Sequence, residues 1–172
     1  MHSHHLLLAA LTLVTAAACD RSPTGGADRG IPAPTAAIAS VTNGELALAR
    51  QASARYQDLS VALADGYVDI NVVMQHMGRH FLNPKLLDGS FRPDRPQILV
   101  YAPEGGKWHL VAVEYAVPLG MSAQAPAGFT GSADVWDHNT GFGLWLLHAW
   151  VWKPNPDGMF APFNPDVVIP GI

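Results

Sequence analysis

The run Gly143 to Lys153, Gly-Leu-Trp-Leu-Leu-His-Ala-Trp-Val-Trp-Lys, constrains this chain more than any other stretch. From Leu144 to Trp152 every side chain is apolar except that of His148. The run is too short for a membrane span, which needs about 20 residues. Gly141 and Gly143 precede it, and Pro154 and Pro156 follow it. An aromatic-rich apolar run between breakers reads as a strand buried on both faces. Alternation puts Leu144, Leu146, His148, Trp150 and Trp152 on one face, and Trp145, Leu147, Ala149 and Val151 on the other. Both faces then need cover, and Trp145 and Trp150 are expected to be buried on opposite sides.

The rest of the chain supplies that cover. Thr42-Asn43-Gly44-Glu45 has the spacing of a capping box, with Thr42 as N-cap. An apolar stripe of Leu46, Ala49, Ala52, Tyr56, Leu59 and Leu63 predicts one helix from there to about Asp65, stopped by Gly66. Tyr67 to Met74 alternates as a short strand, and 75–84 reads as a loop because of Gly78 and Asn83-Pro84. Residues 97–102 and 107–117 predict a hairpin joined by Pro103-Glu104-Gly105-Gly106, which would set Glu114 opposite Arg95. Pro118 to Thr140 predicts a long loop, with Asp137-His138 in solvent. The tail after Pro154 is apolar but broken by prolines, and it predicts irregular structure folded back over the sheet. The expected fold class is α+β: one long N-terminal helix packed on a small antiparallel sheet, the other face covered by loops and an irregular C-terminal tail.

The N-terminus carries an address. Residues 1–18 read as a signal peptide, with an apolar run from Leu6 to Ala18 and small residues at its end. Ala16-Ala17-Ala18-Cys19 resembles the lipobox of bacterial lipoproteins, which implies lipidation of Cys19. The chain's single cysteine fits this, since it has no partner for an internal disulfide. Residues 19–41 read as that lipidated cysteine plus a Pro/Gly-containing flexible linker reaching about 25 Å, and 42–172 as one globular domain. The expected location is the membrane, through the lipid, facing the periplasm or cell exterior.

Composition excludes some functions. Charged residues make up 14%, well under the usual quarter or so. A net charge of −4 leaves no basic footprint for nucleic acid. No Gly-x-Ser-x-Gly, Cys-x-x-Cys or His-Glu-x-x-His occurs, and Gly105-Gly106-Lys107 and Gly141-Phe142-Gly143 lack the spacing of nucleotide loops.

Histidine, methionine and carboxylate remain. Met74, His76, Met77 and His80 crowd one segment, and His76 and His80 would share a face of a helical turn. Imidazole suits zinc and copper, and thioether suits Cu(I). Glu114 and His148 lie on predicted strands and complete a candidate metal set of His76, His80, Glu114 and His148. Simpler roles compete: His148 as a core histidine bonded to a carbonyl, Glu114 paired with Arg95, and the methionines as core fillers. The sequence thus points first to an exported structural or binding module rather than an enzyme. The alternatives are a zinc- or copper-binding domain on those four residues, and a small metal-free acid–base enzyme using Glu114 and His148.

Four segments carry a wider resemblance: Leu63-Ala64-Asp65-Gly66-Tyr67, Met77-Gly78-Arg79-His80-Phe81, Val113-Glu114-Tyr115 and Asn155-Pro156-Asp157-Gly158-Met159-Phe160. They resemble a group of uncharacterised bacterial exported proteins and lipoproteins, over roughly residues 50 to 168. The resemblance implies an exported domain and no particular activity.

Overall fold

Tyr101, buried on the third strand, donates its hydroxyl to the carbonyl of Tyr56 at 2.6 Å. In an unbroken α-helix that carbonyl would accept the amide of Ser60. Ser60 turns instead to the side chain of Asp58, at 2.9 Å. The long helix expected over 42–65 is therefore broken. The computed structural model describes residues 34–131 and 134–172. Helix α1 spans Pro34–Ser53, a 3-10 turn covers Ala54–Gln57, and α2, capped by Asp58, spans Leu59–Ala64. Pro34 suits a first turn, and alanines favour the helix body. The expected signal peptide, Cys19 and the linker as far as residue 33 lie outside the described residues. Residues 34–41, expected as linker, belong to α1.

Thr42 is not an N-cap but an interior residue of α1. The Glu45 carboxylate accepts the amide of Thr130 at 2.7 Å and the Thr130 hydroxyl at 3.1 Å. Thr42 itself donates to the Thr130 carbonyl. The apparent capping box is thus a clamp on a distant loop.

Six antiparallel strands make most of the domain: β1 Val68–Met74, β2 Gly78–Leu82, β3 Ile98–Glu104, β4 Lys107–Pro118, β5 Asp137–Asn139 and β6 Leu144–Ala149. Their order is β1-β2-β3-β4-β6-β5. The expectation of one long helix on a small sheet is overturned by this curled six-stranded sheet with a short helix. The centre is the β3–β4 hairpin, not the aromatic run, because β6 lies between β4 and the short edge strand β5. Asp137-His138 sits on that edge, and the His138 ring packs on Trp145 with centroids 4.6 Å apart.

The hairpin turns on Gly105 and Gly106 alone, both with positive φ, so Glu104 pairs with Lys107. Such a two-residue turn matches the strands' right-handed twist. Further on, Val100 pairs with Ala112 while Tyr101 pairs with Leu110, which leaves Val111 as a bulge. One extra residue swaps the faces of everything after it. Glu114 consequently pairs with Ile98, not Arg95, and faces away from Trp108 and Leu110. Arg95 bonds Asp88 instead.

Gly78, read as a sign of a loop over 75–84, sits at the start of β2. A Cβ there would lie 2.7 Å from the Tyr101 carbonyl oxygen. Glycine lets β2 approach β3 closely. At the outer edge, β1 is irregular: its pairing with β2 shifts between Asp69 and Val73, and Asn71 has φ 57.

Each sheet face carries its own apolar cluster. One joins Leu46 and Ala49 of α1 to Leu99, Tyr101, Val113, Tyr115 and Leu147. The other joins Ile98, Val100, Ala112, Ala116 and Trp150 to Val167 and Ile169 from the tail. Alternation along 144–150 divides β6 between them until the chain turns at Val151, whose amide bonds the Ala149 carbonyl at 2.9 Å. Trp152 then joins the helix side, where its indole donates to Ser53 at 3.0 Å. Trp150 is 1% exposed. Trp145, expected to be buried, is half-buried at the sheet's end and donates to the Ser122 carbonyl.

Candidate metal centre

The second face, otherwise apolar, holds three ionisable side chains. His80 comes from β2, Glu114 from β4 and His148 from β6, and they are 3%, 2% and 7% exposed. Glu114 and His148 are direct cross-strand partners. His80 reaches them over small neighbours, since it pairs with Val100, which pairs with Ala112. On a flat sheet β2 and β6 would lie about 14 Å apart. The His80 and His148 rings are nevertheless 5.9 Å apart, edge to face, because the sheet curls and the side chains lean together.

The distances within the group are short. His148 Nδ1 lies 3.3 Å from Glu114 Oε1, and His80 Nε2 lies 3.7 Å from Glu114 Oε2. One ligand atom from each residue can be chosen so that all lie within 4.8 Å of one another. Nδ1 of His80 stands 3.1 Å from the Val72 carbonyl on β1. A carbonyl only accepts, so Nδ1 carries the hydrogen and Nε2 presents a lone pair to Glu114. Holding one nitrogen on a backbone carbonyl while the other faces inward is how metal-ligating histidines are commonly oriented. No side-chain pattern in the sequence announces Val72, because its contribution is a main-chain oxygen.

Burial governs the charges. It pushes the Glu114 carboxyl up to about 8, and the charge of Asp137 on β5 pushes the same way. It pushes His148 down to about 3, with His80 adding to the shift, and it lowers His80 as well. Desolvation outweighs ion pairing, so at neutral pH the group is a neutral cluster with a protonated carboxyl. Nε2 of His148 is buried and has no hydrogen-bond partner. Such an orphan costs about 1–3 kcal/mol. The His148 ring stacks on Trp150, with centroids 6.1 Å apart.

His76 stays outside. It is exposed, in the turn from β1 to β2, with φ 63, and its carbonyl accepts the Asn164 amide at 2.7 Å. The helical turn that would have put His76 and His80 on one face does not exist, because β2 begins at Gly78. Met74 is exposed on the edge strand, and Met77 is buried.

In comparisons with known proteins, no family model, curated protein or solved structure matches the chain.

Proposed function

We propose that this is an exported transition-metal-binding domain that holds one divalent ion, zinc by preference, on His80, Glu114 and His148. One observation carries the reading: imidazole, carboxylate and imidazole from separate strands meet within 4.8 Å on an apolar face. In a tetrahedral zinc site with bonds of about 2.0–2.2 Å, ligand atoms lie about 3.4 Å apart. The separations of 3.3 Å and 3.7 Å, made to the two different oxygens of Glu114, are near that value, and the group, spread within 4.8 Å, closes slightly around an ion. Two imidazoles and one carboxylate favour zinc or copper over magnesium or calcium. An ion would convert a costly neutral cluster into a coordinated one. The acid–base reading requires a substrate beside a carboxyl that is 2% exposed.

Zinc titration of the chelator-stripped full-length protein should show one equivalent bound. His148→Ala should weaken it by more than about 100-fold, since losing even an outer-shell partner costs about 10–100-fold. No uptake by the unmodified protein, or equal affinity in the variant, would dismiss the reading.

The address belongs to the same proposal. Cys19 is the lipidated first residue of the mature chain, and it tethers the domain to a membrane outside the cytoplasm. The support is the apolar segment ending in Ala-Ala-Ala-Cys. Mass spectrometry of native protein should find Cys19 N-terminal and acylated. A chain starting at Met1 with a free thiol would rule it out.

A further inference from the structure

The three ligand side chains are between 2% and 7% exposed, so no hydrated ion reaches them while the domain is closed. Some element must move aside. The strands that carry them cannot do so cheaply. β2, β4 and β6 each have a hydrogen-bonded neighbour on both sides. The tail is different. From residue 150 onward it contains no helix or strand. Yet it places Val167 and Ile169, 1% and 5% exposed, in the apolar cluster around the three ligands. The other members include Ile98, the cross-strand partner of Glu114, Val100, the partner of His80, and Trp150, which stacks on His148. Val167 and Ile169 therefore roof the same patch of sheet.

The attachment of this roof is slight. Asn164 is buried and anchored, with its amide on the His76 carbonyl at 2.7 Å and its side chain on the Pro154 carbonyl at 3.0 Å. Beyond it, among the described residues, the segment is hydrogen-bonded to the remainder of the domain through one side chain, Gln75. The Ile169 amide donates to Gln75 Oε1 at 2.7 Å, and Gln75 Nε2 donates to the Ile169 carbonyl at 3.4 Å. Asp166, Val168 and Pro170, between and beside the roofing residues, are exposed. Gln75 lies in the turn between β1, whose Val72 carbonyl orients His80, and β2, which carries His80. Latch and ligand thus sit on one hairpin.

We propose that the segment from residue 165 to 172 is a latched strap over the metal site, and that the ion enters and leaves when the Gln75 latch opens. The inference rests on the metal-binding reading of His80, Glu114 and His148. Asn164 is the hinge, and Val167 and Ile169 are the part that lifts. With the strap down, water and competing chelators are kept from the ion, so exchange is slow whatever the affinity. Local opening of a weakly bonded segment is far easier than opening a sheet interior.

The test compares zinc exchange in the full-length protein and two variants. Zinc-loaded protein is mixed with excess chromogenic chelator, and the metal-free form is separately mixed with zinc. Gln75→Ala removes both hydrogen bonds and should speed release and loading alike by about tenfold or more. The dissociation constant should then stay within about threefold, because a gate changes both rates together. Gln75→Glu, equal in size, keeps the acceptor, loses the donor and should give an intermediate rise; it decides the matter if the alanine variant does not fold. Exchange rates unchanged in both folded variants would overturn the strap, as would faster release without faster loading. Failure of the unmodified protein to bind zinc would overturn the metal reading, and the strap with it.

Discussion

Trp150→Ala lowers the stability of the domain by about 3–5 kcal/mol, the range for truncating a large aromatic in a core. Trp150 heads the fully buried side chains by volume and is 1% exposed. Its indole donates to the Ala161 carbonyl at 2.6 Å, and its amide donates to the Met159 carbonyl at 2.9 Å. The ring also walls the site, stacked on His148. Truncation leaves a cavity between sheet and tail, and it strands the Ala161 carbonyl. Neighbours on the sheet are held by cross-strand bonds and cannot collapse into the space. The melting temperature should fall by on the order of 10 °C. Trp145→Ala, at a half-buried position, should cost clearly less. Denaturant melts of both variants measure the difference. A Trp150→Ala protein with an unchanged midpoint would contradict this packing.

The second large effect joins pH to metal. Without metal, stability should fall as pH rises from about 7 to about 8, and zinc should abolish that fall. The ordinary carboxyl value is 4.5, and the folded protein holds Glu114's proton up to about 8. Between those values the native state binds a proton that the unfolded chain has released. Stability then falls with rising pH by at most about 1.4 kcal/mol per unit. The histidines act in the opposite sense at lower pH. His148 refuses a proton down to about 3, whereas an ordinary histidine accepts one near 6.5, so stability is lost as pH falls through that interval. His80 shifts in the same direction. Lowered Asp58, Asp69 and Asp88 and the raised tyrosines Tyr67, Tyr101 and Tyr115 change charge outside the window. Near 6.5 the opposite slope of the two histidines still offsets that of Glu114; above about 7 it has faded, and the fall from 7 to 8 is worth about 1 kcal/mol. Zinc takes the ionised carboxylate, which removes the retained proton and with it the slope. At a thousandfold excess over its dissociation constant, zinc adds about 4 kcal/mol. Urea melts across this range, with and without zinc, read both effects. Glu114→Gln should flatten the metal-free profile. A metal-free profile already flat in the unmodified protein would contradict the buried, protonated carboxyl, and a slope that zinc leaves untouched would contradict ligation.

Some of this was legible in the residues. The alternation from Leu144 to Trp150 is uninterrupted, so the face of His148 can be read directly. Glu114 was harder. Its face depends on Val111, the extra residue of a bulge, and nothing in Leu110-Val111-Ala112 marks it as extra. The helix break depends on a hydroxyl from Tyr101, far along the chain, taking the carbonyl of Tyr56. No local stripe of apolar residues reports such a contact. Gly78 misled in the same way: a glycine breaks a loop-like segment in sequence, whereas here it admits a neighbouring backbone at close range. His76 entered the candidate set on a separate ground, the i, i+4 spacing that pairs it with His80, which has meaning only on a helix.

The irregular outer strand has a consequence for the protein in crowded surroundings. An even β1 would offer a second molecule a row of free amides and carbonyls, the template on which sheets extend from chain to chain. The register shift and the left-handed Asn71 interrupt that row midway. At the opposite border the final strand, Asp137–Asn139, is only three residues long and begins with a carboxylate. With both borders blunted, neither edge offers the long, even row of free groups on which fibrous self-assembly is templated.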